Sequence, residues 1–280
     1  MSDPKELFGH QVLERIGEGA GSAIYKVRDP RTARLYAMKH VRKRSDTDRK
    51  FLGQVENEYR IGSPFRHPAI RRIERIFRRR RWLRIVEMGL LMEYVAAPGL
   101  DALDPPSPRS AAAIFLGIAE GLDAMHARNI VHADIKPTNV LVAPDHVKII
   151  DLGQACNAGI RKARIQGTPG YIAPEQAARR RITVRTDVYN FGATMYWTLA
   201  RKVIPTVLPP RSFNGPALAT LSIERVARPA PLHEVVPGVP ESLSTLVSDC
   251  VQLSRGDRPS SMRPVIDRLH RIARELAPGS

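Results

Sequence analysis

The first hundred residues read as short β-type runs with one helix among them. Val12 to Glu18 and Ala23 to Arg28 flank a glycine turn, and Leu35 to Val41 follows. Asp48 to Gly62 is polar and helical in pattern, after which β-type content resumes at Ile70 to Phe77 and Leu90 to Val95, around a turn expected at Arg78 to Arg81. Pro98-Gly99 and Pro105-Pro106-Ser107-Pro108 break the chain and mark a hinge. Beyond them Arg109 to Ala127 places Ile114, Ile118, Leu122 and Met125 on one helical face, so a helical lobe begins there. Val131 to Val142 and Val147 to Leu152 are short β-prone pieces. Thr186 to Ala200 is an apolar helix suited to an interior, and Pro205 to Pro240 is a proline-rich connection. Leu243 to Leu253 and Pro264 to Leu276 are the closing helices, with Ser242 as a cap.

Composition narrows the class. A chain of 280 residues with 43% apolar content can bury ample core without staples. Only Cys156 and Cys250 are present, and the opening Met1-Ser2-Asp3-Pro4-Lys5 has no hydrophobic region, which predicts a reducing, cytoplasmic setting. The most apolar stretch, Ile85 to Leu100, carries Glu87 and Glu93 and falls short of the ~20 residues of a membrane helix, so no membrane segment is expected. The net charge of +16 comes largely from arginine, in clusters at Arg42 to Arg44, Arg71-Arg72, Arg78 to Arg81, Arg179 to Arg181 and Arg263, Arg268, Arg271 and Arg274. Solvated faces explain such scatter first and an acidic protein partner second. Nucleic acid or a membrane ranks behind, because no zinc-finger, RNA-binding or basic-zipper pattern accompanies the charge.

The residue types that carry chemistry stand at characteristic spacings. Ile16-Gly17-Glu18-Gly19-Ala20-Gly21-Ser22-Ala23-Ile24 is a glycine-rich hairpin, where missing side chains let backbone amides approach phosphates. Lys39 follows in Tyr36-Ala37-Met38-Lys39, and Leu91-Met92-Glu93-Tyr94-Val95 precedes the hinge. Further on come His132-Ala133-Asp134-Ile135-Lys136-Pro137-Thr138-Asn139, Ile149-Ile150-Asp151-Leu152-Gly153, Gly167-Thr168-Pro169-Gly170-Tyr171-Ile172-Ala173-Pro174-Glu175, and Arg255-Gly256-Asp257-Arg258-Pro259. A base, an ammonium and a carboxamide two and five residues beyond the base are the parts phosphoryl transfer needs.

In this order the motifs resemble the catalytic domain of eukaryotic-like serine/threonine protein kinases of bacteria, over about residues 10 to 275. The resemblance implies an α+β, bilobal protein-kinase fold: a small antiparallel β-sheet N-lobe with one helix, and a larger, mainly helical C-lobe. It sets an N-terminal extension at 1–9 and a kinase domain at 10–276, with the N-lobe to about 95, a hinge at about 93–101, the C-lobe from about 102, and a tail at 277–280. It implies ATP, with Mg2+ or alternatively Mn2+, as cofactors and a protein substrate. Asp134 would accept or orient the substrate hydroxyl proton, Lys136 would neutralise the γ-phosphate, and Thr168 would hydrogen-bond both. Lys39 would grip the α- and β-phosphates, fixed by Glu58, which stands nine residues before His67; Glu56, about 200° away on the helix, would face solvent. Asn139 and Asp151 would hold metal. Ile16, Gly17, Gly19, Gly21, Ser22, Ile24, Ala37, Met92, Glu93, Val95 and Leu141 would surround the nucleotide, with Met92 as gatekeeper and Asp101 at the ribose. Glu175 would pair with Arg258, and Asp187 would brace the catalytic-loop backbone.

Departures from the family pattern carry expectations of their own. Ser22 holds the third glycine position of the hairpin, and Leu152 replaces the usual phenylalanine conservatively. Ala133 replaces the arginine that in many relatives reads a phosphorylated activation loop, and Gln154 to Gln166 contains no serine, threonine or tyrosine. The enzyme is therefore expected not to be gated by phosphorylation of that segment. Thr138 stands where basophilic relatives have glutamate, which favours an acidic or neutral target. Three alternatives remain: a pseudokinase or scaffold, a small-molecule phosphotransferase, and a basic nucleic-acid binder. The pattern carries no sign of oligomeric state.

Overall fold

The computed structural model describes residues 3–19, 21–43, 45, 48–206 and 226–277. Met1 and Ser2, Ala20 of the glycine turn, Arg44 of the first arginine cluster, 207–225 of the proline-rich connection and 278–280 lie outside the described residues. The chain forms two compact units: Met1–Ala96 with Asp151–Gly153, and Ala97–Ile150 with Gln154–Ser280.

The first unit is an antiparallel six-stranded sheet with one helix. Its strands are β1 (Glu6–Leu7), β2 (His10–Gly19), β3 (Ser22–Arg28), β4 (Leu35–Arg42), β5 (Ile73–Arg81) and β6 (Arg84–Glu93), in the order β1-β2-β3-β4-β6-β5; α1 spans Arg49–Gly62. Strand alternation sorts β4 between two cores. Ala37 and Val41 join Leu52 and Val55 of α1 with Leu90 and Met92 of β6, whereas Met38 packs on the other face with Leu7, Tyr25, Val27 and Leu91.

Two expectations are corrected here. Arg78 to Arg81 is not a turn: all four residues lie in β5, and the hairpin turns at Trp82-Leu83, with Arg81 opposite Arg84. Strand alternation gives the arginines opposite-facing partners, Arg78 to Glu56 of α1 and Arg79 to Glu87 of β6. The stretch set aside as an extension supplies β1, where Glu6 pairs with Gln11 and Leu7 is buried.

The second unit contains α2 (Pro108–His126), β7 (Ile130–Val131), β8 (Val140–Val142), β9 (Val147–Ile149), β10 (Cys156–Asn157), α3 (Pro174–Ala177), α4 (Val184–Ala200), α5 (Leu232–Val235), α6 (Glu241–Cys250) and α7 (Met262–Glu275). Helix α2 begins at a proline, with the Ser107 hydroxyl accepting from the Ser110 N–H at 3.2 Å. Its buried side includes Phe115, Ile118, Leu122 and Met125; Phe115 meets Phe191 of α4 edge to face at 6.2 Å. Helix α7 is amphipathic, burying Met262, Val265, Ile266, Leu269 and Ile272, and it packs on α2. Ser242 is not a cap. It sits inside α6, behind Pro240 at the N-cap, and its hydroxyl donates to Glu275 at 2.6 Å.

Among the described residues no helix is long and apolar enough to cross a membrane.

Candidate active site

In the first unit Lys39 lies two residues from Ala37 and two from Val41, so it points to the sheet face that α1 covers. On α1, Leu52, Val55 and Glu58 recur every three residues and form one buried stripe whose third member is a carboxylate. The Lys39 ammonium donates to Glu58 Oε2 at 2.8 Å and to Asp151 Oδ1 at 2.9 Å. Burial alone would push the Lys39 pKa down; the charges and hydrogen bonds of Glu58 and Asp151 outweigh it and hold the pKa above the ordinary lysine value.

Asp151 has a φ of 62°, in the left-handed region that aspartate tolerates better than most residues. Its Oδ1 also accepts from the Gly153 N–H at 3.4 Å, and its side chain is 45% exposed, enough to meet a further cation. Asn57 of α1 donates to the Gly153 carbonyl at 3.3 Å, and the buried Leu152 packs toward Gly62, where a Cβ would strike Ile73 and Leu152. Arg71 is buried in the same unit. Burial lowers its guanidinium pKa while Glu58, Asp151 and Glu93 oppose the shift, so a second cation stands beside the Lys39 carboxylates.

The glycine hairpin pairs Gly17 with Ile24 and Gly19 with Ser22. Gly21 has a φ of 103°, and a Cβ there would run into the Phe51 ring of α1, so packing as well as turn geometry requires glycine at this position. Ile16 is exposed, Ile24 packs against the core beneath the sheet, and Ala37 is buried opposite Met92 across the β4–β6 pair. The Glu93 N–H donates to the Arg72 carbonyl at 2.9 Å, which removes it as a donor to a nucleotide. Val95 is half-buried. Leu141 belongs to the second unit, in β8, bridged to Gly99. Asp101, also there, is exposed.

In the second unit a buried carboxylate organises the catalytic loop. Asp187, in the first turn of α4, accepts from the His132 N–H through Oδ2 and the Ala133 N–H through Oδ1, both at 2.8 Å. The His126 ring nitrogen lies 2.8 Å from the same Oδ2. Ala133 adopts a φ of 63°, and the loop takes this bend where two successive amides reach one carboxylate. Thr168 Oγ1 donates to Asp134 Oδ1 at 2.9 Å and accepts from the Lys136 ammonium at 2.9 Å; Lys136 also stands 3.4 Å from Asp134 Oδ2. The buried Asn139 donates its Nδ2 to the Asp134 carbonyl at 2.9 Å, which turns its oxygen the other way.

Gln176 is a member of this site that received no role from the sequence. Fully buried one residue past Glu175, it donates to the carbonyls of Ala133 and Gln166 and accepts from the Ala173 N–H and from Asn190 of α4. It thus ties the catalytic loop to the segment before Thr168. Below it, Arg258 meets Glu175 in a two-pronged pair at 2.8 and 3.0 Å, and Thr186 donates to Glu175 at 2.9 Å. Within the loop that lacks hydroxyls, the half-buried Lys162 donates to the Gln154 carbonyl. Burial lowers its pKa, against the charges of Cys156 and Asp134.

These geometries define a class. The chain belongs to the protein kinase domain family, whose family model matches residues 10–268. Among curated proteins it is similar to serine/threonine-protein kinase AfsK of Streptomyces coelicolor, 29% identical over 92% of this chain and 31% of that protein. It is likewise similar to serine/threonine-protein kinase pkn2 of Myxococcus xanthus, 28% identical over 96% of this chain and 33% of the relative. Serine/threonine-protein kinase PknL of Mycobacterium tuberculosis matches at 28% over 95% of this chain and 66% of its own length. The chain thus spans about a third of the length of the first two.

Proposed function

We propose that this chain is a serine/threonine protein kinase that transfers the γ-phosphoryl group of ATP to protein hydroxyls. The observation that carries the reading is the hydrogen-bonded set Asp134, Thr168 and Lys136: a carboxylate already aligned on a hydroxyl, with an ammonium against the same oxygen. In it Asp134 orients and receives the acceptor's proton, Lys136 balances charge on the transferring phosphoryl group, and Thr168 keeps the two in register. In the first unit Lys39, held by Glu58, takes the α- and β-phosphates. Ile16, Gly17, Gly19, Gly21, Ser22, Ile24, Ala37, Met92, Glu93 and Val95 are the nucleotide contacts of the first unit; Leu141 is the candidate contact in the second.

Asp151 and Asn139 would hold magnesium, which supplies electrostatic screening of the phosphates when bound. One carboxylate and one carboxamide are hard oxygen donors, and an ion that takes its remaining ligands from phosphate and water needs few from protein.

Intact Lys39, Glu58, Asp134, Asn139 and Asp151 weigh against a scaffold that no longer transfers. Radiolabel transfer from ATP with magnesium tests the reading directly. Asp134→Ala and Asp151→Ala should each lower it by about 10²–10⁴-fold; wild-type-like transfer in both would overturn it.

Two finer points belong to the same proposal. The segment from Gln154 to Gln166 offers no hydroxyl to phosphorylate and is tethered by Lys162 and by Gln176, so activity should survive complete phosphatase treatment unchanged. Thr138, together with Arg161, Lys162 and Arg164, favours acidic or neutral target sequences; a peptide array preferring upstream arginine would contradict this.

A further inference from the structure

Among the described residues, the hairpin joining β5 and β6 carries the two most exposed large apolar side chains: Trp82 is 92% and Leu83 93% accessible. A two-residue hairpin connection ordinarily takes glycine, asparagine or aspartate because a positive φ is required. Here Trp82 takes it, at a φ of 56°. The turn therefore keeps a strained backbone and a bulky exposed pair, at a place where cheaper residues would close the strands equally well. Folding of the unit does not require them, since neither residue joins its cores.

What surrounds the tip identifies its counterpart. Arg80, Arg81 and Arg84 are exposed, and none forms an ion pair among the described residues, unlike Arg78 and Arg79 lower on the same strand. Leu83, Arg80 and Arg84 border a concavity of about 680 Å³ that Lys43, Arg49 and the Glu56–Arg78 ion pair also line, so cations outnumber its one carboxylate. An indole and an isobutyl group at the end of a ribbon, ringed by guanidinium groups, match the boundary of a lipid bilayer: apolar groups enter the acyl region while cations meet phosphate.

We propose that the Trp82-Leu83 tip is a peripheral membrane anchor, inserting into the interface of an anionic bilayer with lipid phosphate held by Arg80, Arg81, Arg84 and the cationic concavity beside them. The surface is of the first unit alone and is independent of the phosphotransfer reading.

The test is co-flotation of the full chain with vesicles of phosphatidylcholine alone or with added phosphatidylglycerol. Binding is expected only to the anionic vesicles and should weaken as salt rises from about 0.1 M to about 1 M. Trp82→Ala with Leu83→Ala should reduce partitioning at least about tenfold, and each of Arg80→Gln, Arg81→Gln and Arg84→Gln by about fivefold. In a Trp197→Phe background, where Trp82 is the remaining tryptophan, its emission should shift to the blue on anionic vesicles. Asp134→Ala should bind vesicles as wild type does, which separates failure of the anchor from failure of the kinase reading. No flotation, equal flotation on both vesicle types, or undiminished flotation of the Trp82/Leu83 variant would each overturn the proposal. So would a Trp82-dependent oligomer in lipid-free solution, which would make the tip a contact between copies of the chain.

Discussion

In the first unit Lys39 divides its ammonium between Glu58 and Asp151, and among the described residues its third N–H finds no protein acceptor, while the Asp151 side chain is almost half exposed. In the second unit Arg258 spends all five N–H donors: two on Glu175, and one each on the carbonyls of Gln252, Arg185 and Leu253, with its guanidinium 4.7 Å from the Tyr189 ring centre. Both are buried cation–carboxylate pairs, yet one is open and the other closed. An open set can bind a charged ligand because it holds unused capacity. A closed set has nothing left to offer except rigidity, and its loss is felt as stability.

The contrast can be broken most forcefully at Arg258. Arg258→Ala leaves Glu175 buried without its cation and should lower the unfolding free energy by about 3–5 kcal/mol, read from urea titrations; a variant of normal stability would show that the set is not closed. Next, Lys39→Ala should lower phosphate transfer by about 10²–10³-fold, as removal of a charge that meets developing negative charge does. Its stability loss should be the smaller of the two.

Alkaline pH sharpens the same comparison. Burial pushes the thiols of Cys156 and Cys250, both in the second unit, from an ordinary 9.0 up to about 11 and about 12. The folded state favours the protonated thiols, so their contribution is complete below pH 9 and is lost as pH rises through 11 to 12. Lys39 has its pKa raised too, so it stays charged over the range in which the cysteines begin to titrate. Urea unfolding at rising pH should therefore report weakening of the second unit first, with thiolate absorbance tracking it.

The smallest effect is expected at Glu56. Its pair with Arg78, at 2.5 and 3.0 Å, is largely solvated, so Glu56→Ala should change stability by about 0.2–1 kcal/mol and leave transfer intact, whereas Glu58→Ala two residues away should impair transfer.

Lys39, Glu58 and Asp151 came from motif resemblance, and helical periodicity only set Glu56 apart from Glu58. In the fold, the parity of Ala37, Lys39 and Val41 and the three-residue stripe of Leu52, Val55 and Glu58 place lysine and glutamate face to face. Asp187 and Thr168 came from motif resemblance as well; Asp187 accepts from the His132 and Ala133 N–H groups, and Thr168 lies between Asp134 and Lys136. Gln176, Asn190, His126 and Arg71 did not come forward, since a buried polar side chain is defined by partners distant in sequence, 43 residues in the case of Gln176 and Ala133. The arginine run at 78–81 misled for another reason: a strand accepts consecutive charges when each face supplies a carboxylate, and Glu56 and Glu87 lie on other elements.

The hydroxyl of Thr168, seated on Asp134 and touched by Lys136, is chemically the same alcohol that a target protein presents. On the proposed reading the site thus carries a resident surrogate of its acceptor. An arriving serine or threonine would meet a carboxylate whose orientation is already fixed by an alcohol on Oδ1.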